Sequence, residues 1–349
     1  MGKFITSDKV FYHLDRVNNW KNNKPVGPIT TEIHLTNRCN NKCYYCIAER
    51  LKDGKEMSES SAENAIKFFK EIGGKAITFS GGGEPTVSPH FSKSIRFAKS
   101  CGLDVGVISN GVNVKGEIAD DILDVATWCR ISFDSNDSEV YHRIRGTWHF
   151  EEVVKNIGDL LDLKDKKESK TTIGLQIVVN KYNYRKIREI VNFLIKQFPS
   201  VDYIQVRPLE ISQSEEPYSL DQLEQIKPQL NQVRINKKVV VSDKWDLLFD
   251  NPKREFGFSA CHCIEFIGAI DAYGDWYLCC HTVGMEQYKI CNVFKTQPHN
   301  FQIKLIDAMR KLGKTKGLNP RVCPVGCRGS TINRCLEGLL HEPEHKNFL

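Results

Sequence analysis

The sequence predicts an α/β fold with a parallel sheet, and two observations carry the prediction. Strand-like and helix-like segments alternate six times between residue 30 and about residue 210. Strands separated in this way by helices pair in parallel, with the helices packed outside. The polar and glycine-rich loops also fall repeatedly after the strands, at the C-terminal edge where such folds bind ligands. Six repeats suit either a partial barrel or an open doubly wound sheet.

The elements follow in order. Residues 29–35 read as the first strand. Ser60 and Glu63 form a capping-box pattern, and Ala62, Ala65, Ile66, Phe69 and Ile72 then recur on one helical face. Residues 75–80 are a short apolar strand, 91–101 a helix, 105–109 a strand, 118–126 a helix and 130–134 a strand. Phe150, Val153, Val154, Ile157 and Leu161 mark the next helix. Residues 173–179, 187–195 and 203–206 give strand, helix and strand. We therefore expect an N-terminal extension (1–28), a β/α core (29–210), a connector (211–260) with a helical stretch near 220–233 and a short strand at 239–241, and a cysteine-rich module (261–349).

With 349 residues, 40% of them hydrophobic, the chain can bury a sizeable core. No run of 18 apolar residues suggests a membrane span, and no apolar signal segment opens the chain. Gly2 and Thr6 fit a loose myristoylation pattern with no second anchoring signal. A net charge of +6 from 49 basic and 43 acidic residues is mild and dispersed, so nucleic acid is not an expected partner. The chain holds 13 cysteines: three at 39–46, eight beyond residue 260, and Cys101 and Cys129 in apolar contexts as buried fillers. A long chain without a signal segment is not a secreted disulfide scaffold. A cytoplasmic enzyme that uses cysteines as metal ligands is expected.

The loop after the first strand reads Cys39-Asn40-Asn41-Lys42-Cys43-Tyr44-Tyr45-Cys46. Structural zinc wants four closed ligands, usually in paired knuckles. Three local thiolates on a four-iron cubane leave one iron open to a substrate, so the spacing favours a catalytic iron–sulfur cluster. After the second strand comes Gly81-Gly82-Gly83-Glu84-Pro85, which lacks the Lys-Ser/Thr ending of a Walker loop. Its glycines permit close backbone approach to a ligand, and Glu84 offers a carboxylate to a cation. Asn110, Ser132 with Asp134, Arg143 and Arg145, Asn180, and Arg207 with Glu210 follow the later strands. Singly each reads as turn chemistry or a surface ion pair; their recurrence at one edge points to a site.

Together these residues resemble the radical SAM superfamily, whose signature is a Cys-x3-Cys-x2-Cys loop after strand one with an aromatic, here Tyr45, before the last cysteine. Gly82-Gly83-Glu84-Pro85 is similar to its second motif. The resemblance implies a partial (β/α)6 TIM-like barrel. It implies that Cys39, Cys43 and Cys46 ligate three irons of a [4Fe–4S] cluster and that S-adenosylmethionine (SAM) chelates the fourth. By the same resemblance Gly82, Gly83 and Glu84 hold the SAM ammonium group, and Ser132 contacts its ribose or methionine end. Arg145 pairs with its carboxylate, with Arg143 the competing choice. Asn110 and Asn180 are further contacts, and Tyr45 packs near the adenine. The implied chemistry is reductive SAM cleavage to a 5′-deoxyadenosyl radical that abstracts hydrogen from a substrate. An external donor such as flavodoxin or ferredoxin supplies the electron.

The tail, Cys261-x-Cys263, Gly274-x4-Cys279-Cys280, Cys291 and Cys323-x3-Cys327-x7-Cys335, resembles the SPASM/Twitch extension, a small β-hairpin and helix domain with auxiliary clusters. It departs from the full SPASM spacing at its distal end, so the shorter Twitch form with one additional [4Fe–4S] cluster is expected. Its ligands are expected to be Cys261, Cys279, Cys323 and Cys327, with Cys263, Cys280 and Cys335 as alternates and Cys291 as a filler. Glu210, His281 and Arg207 are positional candidates for acid–base roles. Only about 28 residues precede strand one, so a small polar metabolite (a sugar, aminocyclitol or nucleotide-linked compound) is the expected substrate. Peptide or protein modification is the alternative, and a non-catalytic metal-binding module a third reading.

Overall fold

The computed structural model describes residues 9–24, 26–210, 217–250, 255–324, 326–327 and 329–340. The Gly2/Thr6 pattern lies outside them. A helix, α1 (Leu14–Lys21), precedes β1 (Thr30–Ile33). The repeats continue with α2 (Glu59–Glu71), β2 (Ala76–Phe79), α3 (Phe91–Ser100), β3 (Asp104–Ser109), α4 (Glu117–Val125) and β4 (Trp128–Ser132). Then come α5 (Ser138–Arg145), α6 (Phe150–Lys166), β5 (Thr172–Val178), α7 (Ile187–Gln197), β6 (Tyr203–Arg207), α8 (Leu220–Val233), β7 (Val239–Val241) and α9 (Lys244–Asp250). The tail adds β8 (Ile267–Ile270), β9 (Asp275–Tyr277), β10 (Lys289–Asn292), α10 (Phe301–Leu312) and α11 (Ser330–Gly338).

Among the described residues one sheet runs β10-β9-β8-β1-β2-β3-β4-β5-β6-β7. Strands β1 to β7 are parallel to their neighbours, and the alternation of strand and helix gives the partial TIM-like barrel. Two features extend the six-repeat expectation. The short strand of the connector is a seventh parallel strand on β6. The tail does not stand apart: β8 pairs in parallel with β1, Thr30 opposite Ile267, and carries the antiparallel β8–β9–β10 ribbon. Neither addition was legible locally, because three or four apolar residues carry no information about which edge they join.

The core lies between the sheet and the outer helices. Ala62, Ala65, Ile66 and Phe69 of α2 are buried on the predicted face. The helix begins two residues earlier than the capping box implied: the side chain of Ser58, not Ser60, accepts from the Ser61 N–H at 3.1 Å. Inside the barrel two glycines are required by close approach. A Cβ on Gly106 would stand 2.3 Å from the Trp128 ring, and one on Gly174 2.1 Å from the Tyr203 ring. Each aromatic is the register partner of its glycine on the neighbouring strand, and the two rings floor the barrel below its C-terminal mouth. Cys129 and Cys291 are buried fillers, as expected, while Cys101 is half-buried against the core. No helix among the described residues is long and apolar enough to cross a membrane.

Candidate active site

Cys39, Cys43 and Cys46 sit on the loop leaving β1, and two elements hold that loop. The first is the glycine loop after β2. The Gly83 N–H donates to the Thr36 carbonyl and the Glu84 N–H to the Arg38 carbonyl, both at 2.9 Å. The backbones come so close that a Cβ on Gly83 would lie 1.9 Å from the Arg38 carbonyl oxygen, and one on Gly82 2.2 Å from Asn37 Oδ1. Both glycines line the seam between the two loops, and Gly83 also lines the cavity beside the thiols. Because the obstacle at Gly83 is backbone, Gly83→Ala is expected to destabilise the protein by about 1–3 kcal/mol, the range for overpacking. The urea unfolding midpoint measures this, and an unchanged midpoint would show that the loops part freely.

The second brace is α5, a helix where the sequence reading had a loop around Arg143 to Gly146. Asp137 caps it by accepting from the Val140 N–H at 2.8 Å, and Gly146 ends it in the left-handed region. Its last turn accepts from the cysteine loop: Lys42 N–H to the Arg145 carbonyl at 2.8 Å and Tyr44 N–H to that of Ile144 at 3.2 Å. The Asp-x2-Val start and the Gly after Arg145 are cap signals that could have revealed the helix.

Of the two competing arginines, α5 turns Arg145 into the cavity and leaves Arg143 outside, 3.9 Å from Glu139. Arg145 is not free. Its Nη2 lies 2.6 Å from Asp134 Oδ2, both side chains buried, and its Nη1 donates to Cys43 Sγ at 3.7 Å. Tyr45 donates to the same Asp134 oxygen at 2.5 Å, and the Val178 N–H donates to Asp134 Oδ1 at 2.8 Å. Asp134 thus joins the cysteine loop, α5 and β5. Burial opposes the Arg145 charge, but Asp134 outweighs it and holds the guanidinium protonated; burial pushes the Tyr45 phenol up.

Glu84 is buried and already occupied. It accepts from Ser109 Oγ and the Asn110 N–H at 2.7 Å, and from Thr86 Oγ1 at 2.7 Å. Burial raises its pKa and these donors oppose the rise. Its visible role is to tie the loops after β2 and β3 together. Asn110 lines the cavity and donates to Asn40 Oδ1 at 2.6 Å, and Ser132 lines it from the end of β4. Asn180 departs from the expectation. It is buried, donates to the Val178 carbonyl and accepts from the Tyr182 N–H, closing the turn after β5 away from the cavity wall. Gln176 and Val178 take the cavity-facing positions on that strand.

The cavity holds about 1020 Å³ and runs from the cysteine loop down into the barrel and across to Cys327 and Ser330 of the tail. Glu210, Arg207 and His281 all line it. Arg207 lies 2.6 Å and His281 3.4 Å from Glu210, and Lys244 is in contact with the same carboxylate. Burial alone would raise the Glu210 carboxyl, but Arg207 and Lys244, with His281, hold it well below the usual carboxylate range. It is an anionic ion-pair hub.

Three of the tail thiols, Cys261, Cys263 and Cys327, lie near one another. Cys261 and Cys263 lie 3.6 Å apart. A Cβ on Gly329 would stand 2.2 Å from the Cys263 sulfur and 3.7 Å from that of Cys327, so both thiols flank one point. Burial pushes the Cys279 thiol up to about 12, with Cys261, Cys327 and Cys323 adding to it, and pushes Cys323 up to about 11. Four of these five are the expected ligands, and the structure brings in Cys263 beside them. Cys280 instead faces the central cavity, and Cys335 lies on α11. Arg50 of the cysteine loop donates to the Val283 and His281 carbonyls at 2.8 Å, so the two thiol groups share one wall.

This chain matches the Radical SAM superfamily over residues 33–194. That match, a little under half of the chain, gives residues 33–194 as a radical SAM domain, and the cysteine-rich region that follows it towards the C-terminal end is consistent with a SPASM/Twitch-type extension. It is 26% identical over 176 residues to the tungsten-containing aldehyde ferredoxin oxidoreductase cofactor-modifying protein of Pyrococcus furiosus, covering 47% of each chain. It is also 26% identical over 188 residues to the mycofactocin maturase MftC of Mycobacterium tuberculosis, covering 52% of this chain and 46% of that one. The chain thus spans about half the length of these curated relatives. In fold it is similar to Streptococcus suis SuiB in its crystal structure with the precursor peptide SuiA, at a TM-score of 0.66 and 15% identity over 86% of this chain and 71% of that one. The family uses a [4Fe–4S] cluster and SAM, and the residues fit both. Three thiols share one loop, one of them takes an arginine N–H, and Gly83, whose loop packs backbone to backbone against theirs, lines the same cavity.

Proposed function

We propose that this enzyme modifies a peptide or protein substrate. When bound, the cluster and SAM supply a 5′-deoxyadenosyl radical for hydrogen-atom abstraction. Cys39, Cys43 and Cys46 hold that cluster. Gly82 and Gly83 admit the SAM methionine end, while Ser132 and Asn110 stand at the edge it would reach and Arg145 is held at the cluster loop by Asp134. Cys261, Cys279, Cys323 and Cys327, with Cys263 in reserve, hold the auxiliary cluster. The barrel floor and the tail keep water from the reacting centre. An external flavodoxin or ferredoxin supplies electrons in a reducing cytoplasm, which suits 13 cysteines that form no disulfide among the described residues.

The observation that carries the peptide reading is the similarity to a maturase over 188 residues. The cavity agrees with it: about 1020 Å³ is at the upper end of what one drug-sized ligand needs, leaving room beside SAM for a side chain of a larger substrate. The small-metabolite reading is the weaker. It rested on the short segment before β1, and a leader-recognition protein can act in trans. Cluster-loaded enzyme given SAM, dithionite and short peptides encoded beside its gene tests the proposal. One peptide is expected to change mass as 5′-deoxyadenosine accumulates. Consumption of a sugar, aminocyclitol or nucleotide-linked compound with every peptide unaltered would overturn it.

A further inference from the structure

The deep part of the cavity carries charge that the roles above do not use. Arg130 projects from β4 two residues before Ser132, toward the barrel floor, with its guanidinium carbon 5.7 Å from the centre of the Trp128 ring. Its Nη1 donates to Gln205 Oε1 at 3.2 Å. Gln205 is the register partner of Gln176, and Arg207 that of Val178, so these side chains face one space. Three polar atoms on this wall are buried without a hydrogen-bond partner: Nε of Arg130, Nε of Arg207 and Oε1 of Gln176. Unpaired buried polar atoms are costly, and a cluster of them around one cavity marks a place where a ligand supplies the missing partners.

We propose that Arg130, Arg207, Gln176 and Gln205 form a subsite for a carboxylate on the substrate, set deep in the barrel below the cysteine loop. The charge count favours a monoanion. Six basic side chains (Arg130, Arg145, Arg207, Arg234, Lys237 and Lys244) line the cavity against five carboxylates (Glu32, Glu84, Glu210, Asp243 and Asp246), so one positive charge is left over. Glu210 serves Arg207 and Lys244 together, and Glu32 accepts from Ser80 Oγ at 2.9 Å. Guanidinium forks match a planar carboxylate in a two-point contact, and the neutral amides add hydrogen bonds without charge. On the side toward the N-terminal ends of β4 and β6, the Trp128 ring packs beside the Arg130 guanidinium and the Tyr203 side chain hydrogen-bonds with it. The carboxylate is therefore the tip of whatever enters: an acidic side chain or a chain terminus of a peptide, or one end of a free acid. Anchoring that tip fixes which carbon stands at the level of Ser132 and the cysteines, and so which hydrogen is presented. Assigning the carboxylate to a peptide rests on the function proposed above; the subsite itself does not.

Titration calorimetry on the cluster-loaded protein under anaerobic conditions tests the subsite. The probes are N-acetylglutamate N-methylamide, N-acetylalanine, glutarate, the neutral N-acetylglutamine N-methylamide and inorganic phosphate. At least one carboxylate is expected to bind about tenfold or more tightly than both the neutral isostere and phosphate. Arg130→Gln is expected to erase that preference, and Arg130→Lys, which keeps the charge but loses the fork, to lose most of it. Gln176→Leu, which removes an orphaned amide and leaves both arginines, covers the case in which the arginine variants fail to fold; it is expected to weaken the same probe several-fold. Binding of glutarate alone, with both peptide-like acids silent, supports the subsite and counts against the peptide reading. No carboxylate binding, equal binding of the isostere or phosphate, or unchanged binding in a folded Arg130 variant overturns the subsite.

Discussion

Replacing Cys39, Cys43 and Cys46 together with Ala is expected to remove about four irons per chain, leave about four, and abolish formation of 5′-deoxyadenosine. The expectation follows from the separation of donors. The three loop thiols are braced by the glycine loop and α5, whereas in the tail Cys263 and Cys327 flank Gly329 and Cys261 lies beside Cys263. The two groups share a wall through Arg50 but no ligand. Buried thiols such as Cys279, pushed up to about 12, resist ionisation on their own, so loading each site must displace protons as metal binds. Iron and sulfide analysis of the triple variant against wild type measures the outcome. Loss of all iron would refute a second cluster. Five thiols compete for the four irons at the tail, and the same assay on Cys263→Ala and Cys323→Ala separates them. The variant that loses about four irons has lost a ligand, and the one that keeps them has lost a neighbour.

What could be read from the sequence depended on how far apart the partners are. Cys39, Cys43 and Cys46 lie within one loop, so their spacing alone announced an open metal site. The alternation of strands and helices likewise gave the parallel core, because each period is local. Asp134 could be placed at the end of a strand, but its role could not, since its partners Tyr45 and Arg145 reach it from different elements, Tyr45 from 89 residues away. Asn180 failed in the opposite direction: a polar residue at the right strand end turned out to be consumed by its own turn. Cys263 was ranked below Cys279 and Cys323 because linear spacing cannot show that it and Cys327 flank the same glycine. The tail looked like an appendage because β8 and β1, which pair in register, are separated by most of the chain.

The pairing of β8 with β1 also bears on function. It fixes the tail on the strand from which the cysteine loop departs. Tyr273 after β8 donates to Asp53 at 2.8 Å, and Lys55 lies 5.1 Å from the Tyr273 ring centre. The auxiliary thiols therefore have a set position relative to the barrel mouth rather than swinging on a linker. A single cavity lined by Cys39, Cys43 and Cys46 on one side and by Cys327 of the tail on the other is the consequence.

The second large effect is expected at Asp134. Asp134→Ala leaves the Arg145 guanidinium buried without its counter-charge, and breaking a buried pair from one side costs about 3–5 kcal/mol. That is a large part of the stability a domain usually has. Tyr45→Phe removes only a hydrogen bond to the same carboxylate and is expected to cost about 1.5–3 kcal/mol. The two losses have different consequences for the site. Without Asp134 the Arg145 side chain loses its counter-charge and keeps only the weak contacts to Cys43 at 3.7 Å and to the Tyr45 ring, so the N–H now facing Cys43 is held far less firmly. Without the Tyr45 hydroxyl that contact stays. Removing the charge as well, in Asp134→Ala with Arg145→Met, takes away the unpaired cation and is expected to recover much of the stability without restoring the contact to Cys43. Urea unfolding of the four proteins reads the energies. Equilibrium binding of SAM to the cluster-loaded forms reads the site, with the double variant expected to be as stable as Tyr45→Phe or more so, yet weaker in SAM binding. A double variant no more stable than Asp134→Ala would mean that packing, and not the buried charge, is what Asp134 secures.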